Sequence, residues 1–303
     1  MENELLYKNR STSSCIQAAY KLLVSNMGGF FRGTWFPVML TSLFLAVLMV
    51  LNLPNPQAYA IGSSHMTLYA VISLVSLIGF LVCSVWATAR LITMLNGQKF
   101  RLNAIRVVLL TLNLLLIYAL VYGLTLLAAY IAMRFLHCSL MTLLADNWLI
   151  VLVWVVVFSL LSLPFIYISI RYLVGDKAHF WHGLPTTYST GLRHLGFIFL
   201  TTFITSLLIG VISMLLMLPM TILLFANAFS TIGVMTGDPS GMPGYFLILL
   251  GVTILITFFI MWFVWIFEFL VYYFMYGSIE RQREERRTTA LAIINDNEEI
   301  FTP

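Results

Sequence analysis

The sequence predicts an all-α polytopic membrane protein, with six transmembrane helices, cytoplasmic interfacial amphipathic helices and both termini inside. Three observations carry that expectation. First, of 303 residues 61% are apolar and 9% charged, against roughly 45–50% and about 25% in soluble domains. Second, six apolar runs are each long enough to cross a hydrocarbon core of about 30 Å at about 1.5 Å per residue. Third, the basic residues sort to alternate connections between the runs. The runs nearly use up the length, so a separate soluble catalytic domain is not expected. The reading is a cytoplasmic segment over residues 1–33, one membrane domain over 34–276 and a cytoplasmic tail over 277–303.

Taken in order, the opening MENELLYKNRSTSS lacks the apolar core of a secretory signal, and Ser13, Ser14 and Cys15 lack the apolar stretch that precedes a lipoprotein cleavage site. Over residues 14–28, Ile16, Ala19, Tyr20, Leu23 and Met27 fall on one helical face and Gln17, Lys21 and Ser25 on the other. This predicts a helix lying in the membrane interface, with Lys21 and the following Arg32 at headgroup level. The spanning runs are 34–53, 66–95, 104–133, 147–174, 196–226 and 244–276. Pro164 in the fourth and Pro219 in the fifth each remove a backbone donor, so both are candidate hinges. Asn113, Ser159 and Ser162 are polar residues suited to bonding between helices. Cys15, Cys83 and Cys138 are too scattered for a disulfide framework or metal knuckle and are expected to pack as small apolar groups.

Orientation follows from the positive-inside rule. Lys8, Arg10, Lys21 and Arg32 precede the first run; Arg90, Lys99, Arg101 and Arg106 surround the second connection; Arg171, Lys177 and Arg193 sit at the fourth; Arg281, Arg283, Arg286 and Arg287 follow the sixth. Only Arg134 falls opposite. Both termini are therefore expected in the cytoplasm. The formal charge of +4 reports this orientation, and no nucleic-acid partner is expected. Trp35, Trp148, Trp181, Trp262, Trp265, Tyr272 and Tyr273 gather towards run ends, where amphipathic rings prefer the headgroup level.

The longest interior departure from apolar sequence is RYLVGDKAHFWHGLPTTYSTGLRHLGFIF, from Arg171 to Phe199. Within it Tyr188, Leu192, Leu195 and Phe199 share a helical face, and Pro185 suits a first turn. An offset of 168 residues aligns Tyr20 with Tyr188, Gly28 with Gly196, Phe31 with Phe199, Thr34 with Thr202 and Leu40 with Leu208. Each copy is a polar, helical segment entering a spanning run from the same side, which would make the repeat parallel rather than inverted.

The interfacial CIQAAYKLLVSNMGGFF, the run ending PFIYISIRYLVGDK and the opening TTYSTGLRHLGFIF together resemble six-helix bacterial integral membrane domains. That group includes the membrane portion of some glycerophosphodiester phosphodiesterases and many uncharacterised multi-pass proteins. The resemblance covers about residues 14–276 and implies a bacterial inner (cytoplasmic) membrane location. Catalysis in those enzymes belongs to a separate soluble barrel, so the resemblance does not carry their activity to this chain.

Glu268 is the one acid within a predicted span, which makes it a candidate for a proton or cation path or for a structural pair with Arg90 or Arg171. Lys177, Trp181 and Arg193 are candidate lipid-headgroup contacts, together with Lys21 and Arg32. Asp176, His179, His182 and His194 are metal-competent, but HFWH reads equally as an aromatic interface anchor, and neither metal nor cofactor is expected. Thr231–Asp238 bears a faint likeness to a potassium-channel filter; it lacks that motif's spacing and aromatic, and NAFSTIGVMTGDPSGMPG reads as an external loop. In the tail, Glu280 can pair with Arg283, or Glu284 with Arg287, on a short helix before a mobile acidic end. No GxSxG, HExxH or P-loop is present. The expected function is non-enzymatic: an accessory or scaffold protein of a membrane complex, or a lipid-interacting protein, with the bilayer and a membrane-protein partner or second copy as partners. The alternatives are a transporter of a small or lipid-like molecule using Glu268, and a membrane-embedded lipid enzyme.

Overall fold

The computed structural model describes residues 6–53, 63–136, 148–175, 180–181, 183–237 and 241–301. Among them the order is α1 (Thr12–Ser25), α2 (Met27–Leu51), α3 (Ser63–Asn96), α4 (Phe100–Leu136), α5 (Trp148–Ser162), α6 (Pro164–Val174), α7 (Leu184–Arg193), α8 (Leu195–Met235) and α9 (Phe246–Phe301), with no strand among the described residues. Six helical stretches are long and apolar enough to span a membrane: Met27–Leu51, Thr67–Asn96, Phe100–Leu127, Leu152–Val174, Leu195–Met235 and Phe246–Ala290. Their apolar side chains are widely exposed; Leu115, Tyr122 and Leu124 on α4 and Val211, Leu215 and Ile222 on α8 are more than 60% accessible. Helices with so much exposed apolar surface need hydrocarbon as their solvent.

Several expectations change in detail. The first spanning helix begins at Met27 rather than Thr34, one turn residue after α1 ends. Pro164 divides its run into two helices: α5 stops at Ser162, Leu163 makes a turn with helical dihedrals (φ −56°, ψ −41°), and Pro164 opens α6. Pro219 sits inside a continuous α8, where the lost donor does not end the helix, and so does Pro37 in α2, which the sequence reading passed over. The loop expected after residue 226 is helical as far as Met235, and Gly237 at φ +98° turns the chain beyond it. Thr231 therefore lies on a helix, bonding its hydroxyl to the Asn227 carbonyl at 2.8 Å, which removes the filter-like reading. Asp238 is outside the described residues. The tail is not a short helix followed by a loose end, because α9 passes through Gly277 and continues to Phe301.

The chain divides into two compact units. One comprises Ile16–Phe100 and Ile204–Val271. Within it α2 and α3 approach closely where Gly79 meets the Phe44 ring. Ala46, Met220, Phe246, Leu250 and Ile254 form a buried cluster in the same unit. A Cβ on Gly79 would lie 2.7 Å from ring atoms of Phe44, closer than a rigid ring tolerates. Gly79→Ala should therefore destabilise by about 1–3 kcal/mol, read as a lower melting temperature in detergent. Gly28→Ala, which meets nothing within 4 Å, should hold or raise it by helix propensity.

The other unit comprises Met1–Cys15, Arg101–Phe203 and Tyr272–Pro303. Here α7 is seated on the proline break. A Cβ at Gly191 would meet the Pro164 ring at 2.8 Å. The Tyr188 hydroxyl donates to the Leu161 carbonyl at 2.9 Å, and partial burial pushes the Tyr188 hydroxyl pKa up, keeping it a donor. Arg171 donates to the Thr187 hydroxyl at 2.7 Å. Trp181, in the turn before α7, donates its indole N–H to Asn113 Oδ1 on α4 at 2.8 Å, so Asn113 bonds a connection rather than a second helix there.

One pair of positions related by the 168-residue offset shares backbone geometry. Asn26 separates α1 from α2, and His194, 168 positions later, separates α7 from α8. Their dihedrals are φ −117°, ψ 18° and φ −107°, ψ 18°. Each side chain returns to the carbonyl four residues earlier, Asn26 Nδ2 to Leu22 at 3.3 Å and His194 Nδ1 to Thr190 at 2.9 Å.

Candidate functional site

The richest polar assembly lies where α6, α7 and the polar half of α9 meet within the second unit. Glu280 is its hub. Its carboxylate accepts from the Tyr167 hydroxyl and pairs with Arg171 at 3.8 Å and Arg283 at 3.9 Å. The side chains of Arg171 and Glu280 are 32% and 21% exposed, so water screens the pair only in part. Glu284 takes Arg281 at 3.8 Å rather than Arg287, and Glu285 takes the same arginine at 3.0 Å.

The amino-terminal segment closes one flank. Arg10 donates its backbone N–H to the Ser278 hydroxyl at 3.0 Å, and that hydroxyl donates to the Arg10 carbonyl at 3.1 Å. The Arg10 guanidinium lies 4.9 Å from the centre of the Phe274 ring, and Gln282 donates to Asn9 at 3.1 Å. Gly277 lets the Leu6 carbonyl lie against the helix backbone. Cys15 on α1 is buried and free, and burial pushes its thiol up to about 11, so it packs as an inert small group.

Two clefts share the Arg283–Arg287 edge of α9. The larger, about 590 Å³, is of mixed charge, lined by Tyr7, Arg171, Glu280, Arg283, Glu284 and Arg287. The smaller, about 290 Å³, carries Arg193, His194, Arg283, Arg286 and Arg287 and, among the described residues, no carboxylate. Arg283, Arg286, Arg287 and Ala290 follow i, i+3, i+4, i+7 spacing, so one helical face supplies its wall. Arg193, Arg286 and Arg287 have no counter-ion among the described residues. The Thr190 carbonyl can only accept, so His194 Nδ1 carries the hydrogen of that bond. Nε2 is shielded from solvent and has no hydrogen-bond partner among the described residues.

Of the residues singled out from the sequence, Arg193 belongs to the smaller cleft. Trp181 is exposed but spends its N–H on Asn113. Lys21 on α1 and Arg32 on α2 are exposed, and both lie in the other unit. Lys177 lies outside the described residues, as do Asp176, His179, His182 and Cys138. Among the described residues no three His, Cys, Asp or Glu side chains come close enough to hold a metal ion. Glu268 is half-buried on α9, inside an apolar stretch, and already makes an interaction within the chain. Of its suggested partners, Arg171 pairs with Glu280, and Arg90 lies 5.2 Å over the Phe100 ring. Pro164 is clamped by α7 as described above. Sequence reasoning missed Glu280 as a hub, the docked Leu6–Arg10 segment and the arginine face. The last was visible as periodicity within ERQREERR.

Comparison of the chain with family models, curated proteins and solved structures found no match.

Proposed function

We propose that the protein is a non-enzymatic multi-pass component of a bacterial inner membrane, with both termini cytoplasmic, that acts as an accessory by engaging anionic lipid at the inner leaflet. The observation that carries this reading is the gathering of Arg193, Arg283, Arg286 and Arg287 round one carboxylate-free cleft beside the starts and ends of apolar helices. Each basic residue near an anionic leaflet contributes about 1 kcal/mol of attraction. Further support comes from α1, where Tyr20, Val24 and Met27 beside its end are more than half exposed and Lys21 stands next to them, a composition suited to lying along headgroups.

Reporter fusions test the orientation. A reporter after Ala290 should report cytoplasm and one between Met235 and Phe246 the opposite side. A carboxy-terminal reporter that reads outside would remove the arginines from the inner leaflet and with them this function.

A further inference from the structure

We propose that the 290 Å³ cleft is a binding site for a phosphomonoester group. This deepens the lipid-engaging reading and rests on it only for the source of the phosphate. The volume falls at the lower bound of small-molecule sites, roughly 300–1,000 Å³, so a headgroup-sized ligand fits and a large cofactor does not. Four guanidinium groups line it, and Glu280 offsets only Arg283. A surplus of positive charge, with no acid among the described residues of the wall, favours an anionic ligand such as a phosphate ester. Arginine's planar fork matches phosphate oxygens in pairs.

His194 sharpens the choice of phosphate. With a hydrogen on Nδ1, the uncharged form of the ring offers a lone pair at Nε2, and nothing among the described residues donates to it. The singly protonated form of a phosphomonoester brings both parts at once: ionised oxygens for the arginines and a P–OH for the histidine. A diester phosphate has no P–OH. Two other clefts are poorer candidates. Glu280 and Glu284 line the 590 Å³ cleft, and Glu285 lines a 570 Å³ cleft whose Arg286 is its one arginine.

The full chain would be placed in phosphatidylcholine nanodiscs containing either phosphatidate or phosphatidylglycerol. In detergent it would be titrated with inorganic phosphate and glycerol 3-phosphate by calorimetry. Phosphatidate should be retained in preference to phosphatidylglycerol. The pair Arg286→Gln and Arg287→Gln should weaken binding about tenfold or more, while Arg101→Gln, exposed and outside the cleft, leaves it unchanged. His194→Asn is the discriminating variant, because asparagine already serves the equivalent turn at Asn26 and its carboxamide oxygen, the acceptor it leaves free, sits one bond closer to the backbone than Nε2. It should keep the melting temperature but lose the preference for monoester over diester. Binding of phosphatidate alone assigns the phosphate to lipid. Binding of soluble phosphates alone keeps the site and removes the lipid-engaging function. The site is overturned if no phosphate probe binds, if both lipids bind equally to the unaltered chain, or if Arg101→Gln weakens binding as much as the α9 pair.

Discussion

Glu280→Ala should destabilise the unit built from α6, α7 and the polar half of α9 by about 1–3 kcal/mol. One carboxylate there serves Tyr167, Arg171 and Arg283. Its removal strands the fully buried Tyr167 side chain without an acceptor and leaves two part-buried guanidinium groups facing each other. Breaking a buried pair costs about 3–5 kcal/mol, and the 21–32% exposure of these side chains moves the expectation below that. Glu280→Gln keeps an acceptor for Tyr167 and should lose less. Thermal unfolding in detergent orders the two variants. If Glu280→Ala melted with the unaltered chain, Glu280 would not be the hub described.

Gly277→Val should release the amino-terminal segment from α9. A Cβ at this position would lie 2.6 Å from Leu6 Cδ1 and 2.9 Å from its Cγ, with the Leu6 carbonyl also in the way. Overpacking of this kind costs about 1–3 kcal/mol. The segment is the cheaper of the two parts to move, because a long helix resists displacement while Leu6–Arg10 is held by a few contacts. Limited trypsin digestion should therefore cut the variant faster at Lys8 and Arg10, and the intact mass should fall accordingly. Ser278→Ala removes only the two bonds to Arg10 and should give an intermediate rate. Unchanged cleavage in Gly277→Val would mean the segment does not depend on that contact.

What could be read from sequence is what is local. The run at 66–95 lies within α3, Ser63–Asn96, and the one at 104–133 within α4, Phe100–Leu136, because apolarity and length are properties of the stretch itself. Pro185 lies in the first turn of α7 as expected, for the same reason. Helix continuity was less legible. Gly277 and the charges after it look like an ending, but propagation adds a backbone bond for each residue fixed, and Arg281 with Glu284 and Glu285 supports the next turns. The partner of Arg171 was not legible at all. Two acids on one helix, Glu268 and Glu280, both suit it by charge, and only the fold places the one that is 109 positions from Arg171 beside it. The cleft is an intermediate case. Its α9 arginines were periodic in sequence, whereas Arg193 and His194 reach them only through the seating of α7 on Pro164.

The twin turns at Asn26 and His194 have an implication for how such a chain can acquire chemistry. Both side chains perform the same task, closing the preceding helix on a carbonyl four residues back. Asparagine completes that task with its amide nitrogen. Histidine completes it with one ring nitrogen and has a second in reserve. A position whose structural duty is light enough for either residue can take on a reactive atom without disturbing the joint, so novelty there comes at almost no cost to the scaffold.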